Sequence, residues 1–169
     1  VLAVGSRIVL LPGIDYYGSR VVTSTEALSY TDVHKHLVVI GGGYIGLEVA
    51  ASLRKKGMTV TVIEAAERIL ARVASKPLAD RLTKLHKDNG VQVFTGVGVD
   101  SINAEAGIFE SVTLTSGEKI VGDMLITGIG VFPDSALAAS AGIETQRKDG
   151  GAILVDEAMR TSEKDVFAV

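Results

Sequence analysis

The residues of this 169-residue sequence best suited to chemistry lie between His36 and Glu64. Gly41, Gly43 and Gly46 have the G-x-G-x-x-G spacing inside G-G-G-Y-I-G. That spacing suits capture of a dinucleotide. The first glycine permits a tight turn, the second lets backbone approach a pyrophosphate, and the third lets a helix pack close to its strand. A helix starting near Tyr44 would aim its free N–H groups and its dipole at the same spot, which favours an anion. Glu64 stands where an acid would meet the adenosine ribose hydroxyls. The candidate contacts are therefore Gly41, Gly43, Gly46 and Glu64, with Gly42 and Ile45 between the glycines of the same turn. A purely structural glycine turn is the alternative.

The flanking elements agree with this in order and spacing. Residues 37–40, L-V-V-I, form an apolar β-branched run without alternation, as in a parallel strand buried on both faces. Ile45, Val49 and Leu53 at i, i+4 and i+8 predict an apolar helix stripe. Arg54, Lys55 and Lys56 suit the last turn, and Gly57 stops the helix. Residues 60–63 read as a second strand. Ser75 caps a second helix with Pro77 in its first turn, Leu78, Leu82 and Leu85 as its buried stripe, and Asn89-Gly90 as its end. His86 is expected at the surface of that helix. Residues 91–94 read as a third strand, completing a βαβαβ unit.

Beyond it the pattern changes. Residues 97–102, 108–115 and 119–121 are short alternating runs separated by turn residues, a small antiparallel meander in place of a third helix. Residues 124–127 return as a core strand running into G-I-G-V-F-P-D. Gly128 and Gly130 thus form a second glycine-rich strand end. Ligands of open parallel sheets bind outside such ends, although a plain turn before Pro133 would read the same way. Residues 135–141 predict a short helix stopped by Gly142, residues 149–151 a turn, residues 152–155 a strand, and residues 156–162 a loop.

At the start, residues 1–4 look like a buried strand ended by Gly5-Ser6. Residues 8–11 look extended, with a turn at Pro12-Gly13. Residues 15–19 are loop-like and Val21-Val22 extended. Ser24-Thr25 would cap a short helix at 26–28. His34 and His36 read as solvated lead-in residues to a strand, since a metal would need further ligands and none lie nearby. The sequence opens without methionine and both ends are apolar, so a piece of a longer protein is expected.

Composition narrows the function classes. There is no cysteine, hence no disulfide, thiolate metal site or cysteine nucleophile. This suits a cytoplasmic protein. A net charge of −3 gives no case for nucleic acid or for an acidic membrane surface. No apolar run approaches a membrane span, and no signal-peptide pattern is present. No metal site and no catalytic His, Lys or Tyr–Lys group can be assigned. The 19 glycines fall at element ends rather than in a low-complexity block.

With these residues placed, the chain resembles the two-dinucleotide flavoprotein reductases, the pyridine nucleotide–disulfide oxidoreductase superfamily. A-V-G-S-R is similar to the family's A-T-G-S-R at a strand of the FAD domain. V-V-I-G-G-G-Y-I-G-L-E is similar to its NAD-domain fingerprint. V-T-V-I-E-A-A-E-R-I-L-A-R-V-A-S, L-H-K-D-N-G-V, G-I-G-V-F-P-D-S-A-L-A and V-D-E-A-M-R-T-S resemble the ferredoxin and rubredoxin reductase branch, whereas S-T-E-A-L is closer to dihydrolipoamide dehydrogenases. The fold implied is α/β: a Rossmann-like parallel sheet with an antiparallel β-meander crossover, plus terminal remnants of an FAD domain. The domains implied are residues 1–22 (FAD-domain remnant and linker), 23–134 (NAD-binding) and 135–169 (linker and FAD-domain remnant).

The resemblance implies a parent in which NADH passes hydride to FAD, and FAD passes electrons to a redox carrier protein. The chemistry is then the cofactors' own, and the protein supplies position and electrostatics. Gly41, Gly43 and Gly46 would cradle the pyrophosphate and Glu64 would bind the ribose. Tyr44 would lie near the pyrophosphate and nicotinamide path and Glu48 near the nicotinamide end. Gly128 and Gly130 would let the nicotinamide half lie against backbone. Helix-start packing for Tyr44 and a solvated helix face for Glu48 stay open. The family's FAD-binding G-x-G-x-x-G, the redox cysteine pair of its disulfide reductases and the Gly-Asp that follows V-F-A-V fall outside this sequence. The piece alone is therefore expected to lack tightly bound flavin and turnover. A carboxylate at Glu64 favours NADH over NADPH by repelling a 2′-phosphate, with Arg68 near enough to weaken this. The apolar ends, as neighbouring strands of an FAD sheet, could pair with each other, stay disordered or drive homodimer formation. The NAD-binding part of a disulfide reductase, a non-catalytic NAD-binding module and a single-domain dehydrogenase are the rival readings.

Overall fold

A computed structural model describes residues 1–11, 20–23, 35–105, 108–147 and 150–169. The expected turn at Pro12-Gly13, the loop at 15–19, the helix capped by Ser24-Thr25 and His34 lie outside the described residues. Twelve strands and three helices are described. In order they are β1 (Ser6–Ile8), β2 (Val21–Thr23), β3 (His36–Ile40), α1 (Tyr44–Lys55), β4 (Thr59–Glu64), α2 (Lys76–Asp88), β5 (Val91–Thr95), β6 (Val99–Glu105) and β7 (Ile108–Leu114). There follow β8 (Lys119–Val121), β9 (Met124–Thr127), β10 (Val131–Pro133), α3 (Ala136–Ser140), β11 (Thr145–Arg147) and β12 (Gly150–Ile153). They fall into two compact units, Leu10–Ile129 and a second made of Val1–Val9 with Gly130–Val169.

The first unit is built on a five-stranded parallel sheet of order β2-β9-β3-β4-β5. Leu37 and Val39 point to one face, with Val60, Val62, Met124 and Ile126, and are covered by Leu47 and Ala50 of α1 and Ala79 of α2. Val38 and Ile40 point to the other face, with Ile63 and Leu125, and are covered by Phe109, Val112, Leu114 and Ile120 of the antiparallel β6-β7-β8 meander. Side chains alternate across a strand, so burial of both faces demands the unbroken L-V-V-I run. The meander stands between β5 at the sheet edge and β9 beside β3. The expected α/β architecture with its meander crossover is therefore present.

Several local expectations are corrected. The buried positions of α1 are Gly46, Leu47 and Ala50, while Ile45 is exposed; Val49 and Leu53 are only partly buried. On α2 the buried residue is Ala79, with Leu82 partly buried, whereas Leu78 and Leu85 are exposed. His86 shares the inward side at i+7 from Ala79 and is half-buried, which lowers its pKa by desolvation. Small residues face the sheet because they let a helix approach closely, and leucine spacing alone does not report this. His36 is not a solvated lead-in residue but the first residue of β3, half-buried against Thr61. Val21–Thr23 forms a fully buried strand paired to β9 and straddles the expected boundary at residue 22.

In the second unit, β1 pairs antiparallel with β10, and β11 with β12. Gly150 and Gly151 belong to β12 rather than to a turn, and that strand ends at Ile153. Residues 1–4 are not a buried strand. Only Leu2 is bridged, in parallel to Ala168, and Val1 is exposed. The two ends of the chain thus pair with each other, through Leu2 N–H to the Phe167 carbonyl and Val169 N–H to the Leu2 carbonyl. Residues 156–160 are held by Asp156, whose Oδ1 accepts the Ala158 and Arg160 N–H groups at 2.9 Å each; these bonds lower its pKa.

Candidate functional site

Strands β9, β3 and β4 lie side by side and parallel, so Gly128, Gly41 and Glu64 emerge together at their carboxyl ends. The ladder continues one step past the strands. Gly128 N–H donates to the Ile40 carbonyl at 2.8 Å, and Gly41 N–H to the Ile63 carbonyl at 2.8 Å. The second glycine strand end is therefore directly beside the first.

Each glycine of the turn is held for a different reason. Gly41 has φ +112°, and a Cβ there would run into the Gly128 carbonyl. A Cβ on Gly46 would run into the Gly41 carbonyl oxygen, so the first turn of α1 sits hard against the strand end. A Cβ on Gly42 would lie 3.0 Å from Ile69 Cγ2 and 3.1 Å from Glu64 Cβ. Gly43 is unlike these. Its φ of −81° is open to any residue, and no heavy atom lies within 4 Å of a Cβ placed on it. Nothing among its described neighbours requires glycine at this position.

Gly43 is also the N-cap of α1. No side chain caps this helix end, and its first turn carries no acidic residue. The free N–H groups and positive dipole end of a 12-residue helix therefore face the open space over Gly43. Tyr44 and Ile45 stand at this helix start with 59% and 42% of their surfaces exposed. Glu48 is exposed one turn further along.

Glu64 is half-buried at the end of β4. Its Oε2 accepts the Gly42 N–H at 2.7 Å and its Oε1 the Ala66 N–H at 2.8 Å. The Gly42 carbonyl in turn accepts the Leu70 N–H at 2.9 Å. Sequence reasoning named Gly42 only as a cofactor contact and missed Ala66 and Leu70, which complete the frame of the site. The available signal was that Glu64 ends the strand adjacent to the glycine turn. Arg68 donates to the carbonyls of Leu70 (3.4 Å) and Ala71 (3.0 Å), so its guanidinium is engaged by its own loop.

The structure thus brings together Gly41 to Gly46, Glu64 and Gly128. Gly130, with φ +124°, belongs to the second unit. Among the described residues no cluster of His, Asp or Glu is placed to hold a metal ion, and no helix is long and apolar enough to cross a membrane.

Known proteins carry the same chain pattern. Residues 1–169 match the pyridine nucleotide-disulphide oxidoreductase family. Rhodocoxin reductase of Rhodococcus erythropolis is 42% identical over 175 residues, covering 100% of this chain and 40% of that protein. Rubredoxin-NAD(+) reductase of Pseudomonas putida is 39% identical over 133 residues, 79% of this chain and 34% of that protein. The structure of a covalent putidaredoxin reductase–putidaredoxin complex superposes with a TM-score of 0.84 at 31% identity, over 98% of this chain and 41% of that one. The chain spans well under half the length of these relatives. On the full-length family match and these identities, the chain belongs to the pyridine nucleotide-disulphide oxidoreductase family.

Proposed function

We propose that this chain is the NADH-binding part of a flavoprotein reductase that passes hydride from NADH to FAD and electrons on to a ferredoxin- or rubredoxin-like carrier. One observation carries the reading: the helix start at Gly43 is uncapped and open, at a glycine that its described neighbours do not require. A bound pyrophosphate supplies the missing reason, because a side chain there would hold it off the N–H groups. The relatives named for reduction of rubredoxin and rhodocoxin support the class of reaction.

Residues 10–129 form the NAD-binding domain in this reading, in place of the expected 23–134, and residues 1–9 and 130–169 belong to an FAD domain. The separate unit of Val1–Val9 with Gly130–Val169 supports that division. Gly41, Gly42, Gly43, Ile45 and Gly46 hold the pyrophosphate, with Tyr44 beside it. Glu64 takes the adenosine ribose, Glu48 lies toward the nicotinamide end, and Gly128 passes backbone along the nicotinamide half. FAD would supply the two-electron relay and is assigned mostly to parts of the parent outside this sequence.

Calorimetric titration of the chain with NADH, with and without added FAD, tests the reading. Saturable NADH binding, independent of FAD and tighter than NADPH binding, is expected. No NADH binding sinks the proposal, and equal or reversed affinities remove the assigned NADH preference.

A further inference from the structure

We infer that Glu64 is also a positioning residue: its carboxylate locks the glycine turn into its phosphate-ready shape before any cofactor arrives. The inference rests on the reading of Gly41–Gly46 as a pyrophosphate cradle. It adds a task for Glu64 that is independent of the ribose.

The geometry is that of a clamp. A carboxylate has two oxygens and about four acceptor positions. Here each oxygen already accepts one backbone N–H, Gly42 at 2.7 Å and Ala66 at 2.8 Å. Gly42 is the middle of the three glycines, and its other peptide group is also tied, through its carbonyl to Leu70 N–H at 2.9 Å. Gly42 is therefore fixed on both sides. Its neighbours are fixed too: Gly41 by the Ile63 carbonyl, and Gly46 by close contact with Gly41. Without Glu64, Gly42 N–H would lose its acceptor in a buried place, and the turn would relax to find another.

The clamp leaves lone pairs on Glu64 for ribose hydroxyls. One carboxylate can therefore shape the loop and read the sugar at once. Aspartate is shorter by one methylene and carries the same charge, so it can reach one donor but is poorly placed for both. Glutamine keeps the length but presents an NH2 group to one of the two N–H donors.

The test uses the isotope-labelled 169-residue chain without nucleotide. In the wild type, the amide resonances of Gly42 and Ala66 should titrate together with the Glu64 carboxyl resonance. In Glu64→Gln, exchange of the Gly42 amide with solvent should rise roughly tenfold. Amides of Val38 and Val62 in the neighbouring strands report whether the fold survives and should keep their protection. Inorganic pyrophosphate, which has no ribose, should bind more weakly to Glu64→Gln than to wild type. Glu64→Asp should fall between the two.

Amides that ignore the Glu64 titration, or unchanged exchange in Glu64→Gln, overturn the inference. So does a variant that loses NADH affinity but binds pyrophosphate as well as wild type, since Glu64 would then act on the ribose alone. If Glu64→Gln unfolds, Val38 and Val62 lose protection, and the wild-type titration with the Asp variant decides. A wild type that shows the coupled titration but binds no NADH overturns the cofactor reading and leaves the clamp standing.

Discussion

The two ends of the parallel sheet use their polar groups in opposite ways. At the carboxyl ends of β3, β4 and β9 the chain presents backbone: three glycines, an uncapped helix start and one carboxylate holding two N–H groups. Toward the amino ends polar side chains satisfy one another. His36 Nε2 lies 2.9 Å from Thr61 Oγ1, which donates to Gln92 Oε1 at 3.1 Å. Because the Thr61 proton is committed to Gln92, His36 Nε2 must be the donor in its pair. Asp123 Oδ2 accepts the His36 N–H at 2.8 Å, and Asp123 N–H donates back to the His36 carbonyl. One end thus keeps donors available for a ligand, and the other consumes its own. Substitutions at the first should show in binding or folding according to position; those at the second should show in stability alone.

The largest effect is expected at Gly46 and Gly41, where fold and site coincide. Gly46→Ala drives a methyl group into the Gly41 carbonyl, and Gly41→Ala adds a positive φ to a clash with Gly128. Each should destabilise the chain by about 3 kcal/mol or more, in the range of overpacking with backbone strain. Urea unfolding measures this. A loss under about 1 kcal/mol would mean the turn has room that the structure denies it.

Next comes Glu64→Arg. Removing the carboxylate that repels a 2′-phosphate and placing a cation there should narrow or invert the NADH-over-NADPH preference, a shift of roughly tenfold or more. The guanidinium of Arg68 already donates to the Leu70 and Ala71 carbonyls of its own loop. Paired titrations give the ratio. An unchanged ratio would show that Glu64 does not contact the ribose.

Gly43→Ala separates the site from the fold. With φ −81° and open space at its Cβ position, it should leave unfolding within about 0.5 kcal/mol of wild type. NADH affinity should nonetheless fall by roughly tenfold, as the methyl group stands where the pyrophosphate approaches. If stability falls and affinity does not, Gly43 belongs with its neighbours as a structural glycine.

How much of this was legible in the sequence depends on whether a residue type is dictated locally. Gly41, Gly43 and Gly46 could be placed because their spacing answers to one strand-turn-helix geometry. L-V-V-I could be placed because only a strand covered on both faces is apolar throughout. The helix stripes could not, since leucine content does not say which side touches the sheet. There the small residues Gly46, Ala50 and Ala79 win by allowing close approach. The Glu64 clamp and the His36–Thr61–Gln92 chain were also hidden. Each joins residues distant in sequence that meet only once strand register is set.

That amino-end chain gives the smallest predicted effect, one confined to stability. Thr61 is fully buried. Thr61→Val keeps its shape but leaves His36 Nε2–H without this acceptor, while the exposed Gln92 amide turns to solvent, costing about 1 kcal/mol. NADH affinity should not change. His36 also makes stability depend on pH. Burial lowers its pKa below 6.5, outweighing the nearby Asp123 charge, which raises it. The folded state then binds fewer protons than the unfolded chain below that value, so stability is full above pH 6.5 and declines as pH falls. His86 titrates in the same direction for the same reason. Replacing His36 by Gln keeps a donor for Thr61 and removes the charge. Its unfolding midpoint should therefore fall less steeply than that of wild type between pH 6.5 and the lowered value. Equal slopes would mean His36 is as well solvated when folded as when unfolded, and that the amino end of the sheet is looser than its hydrogen bonds indicate.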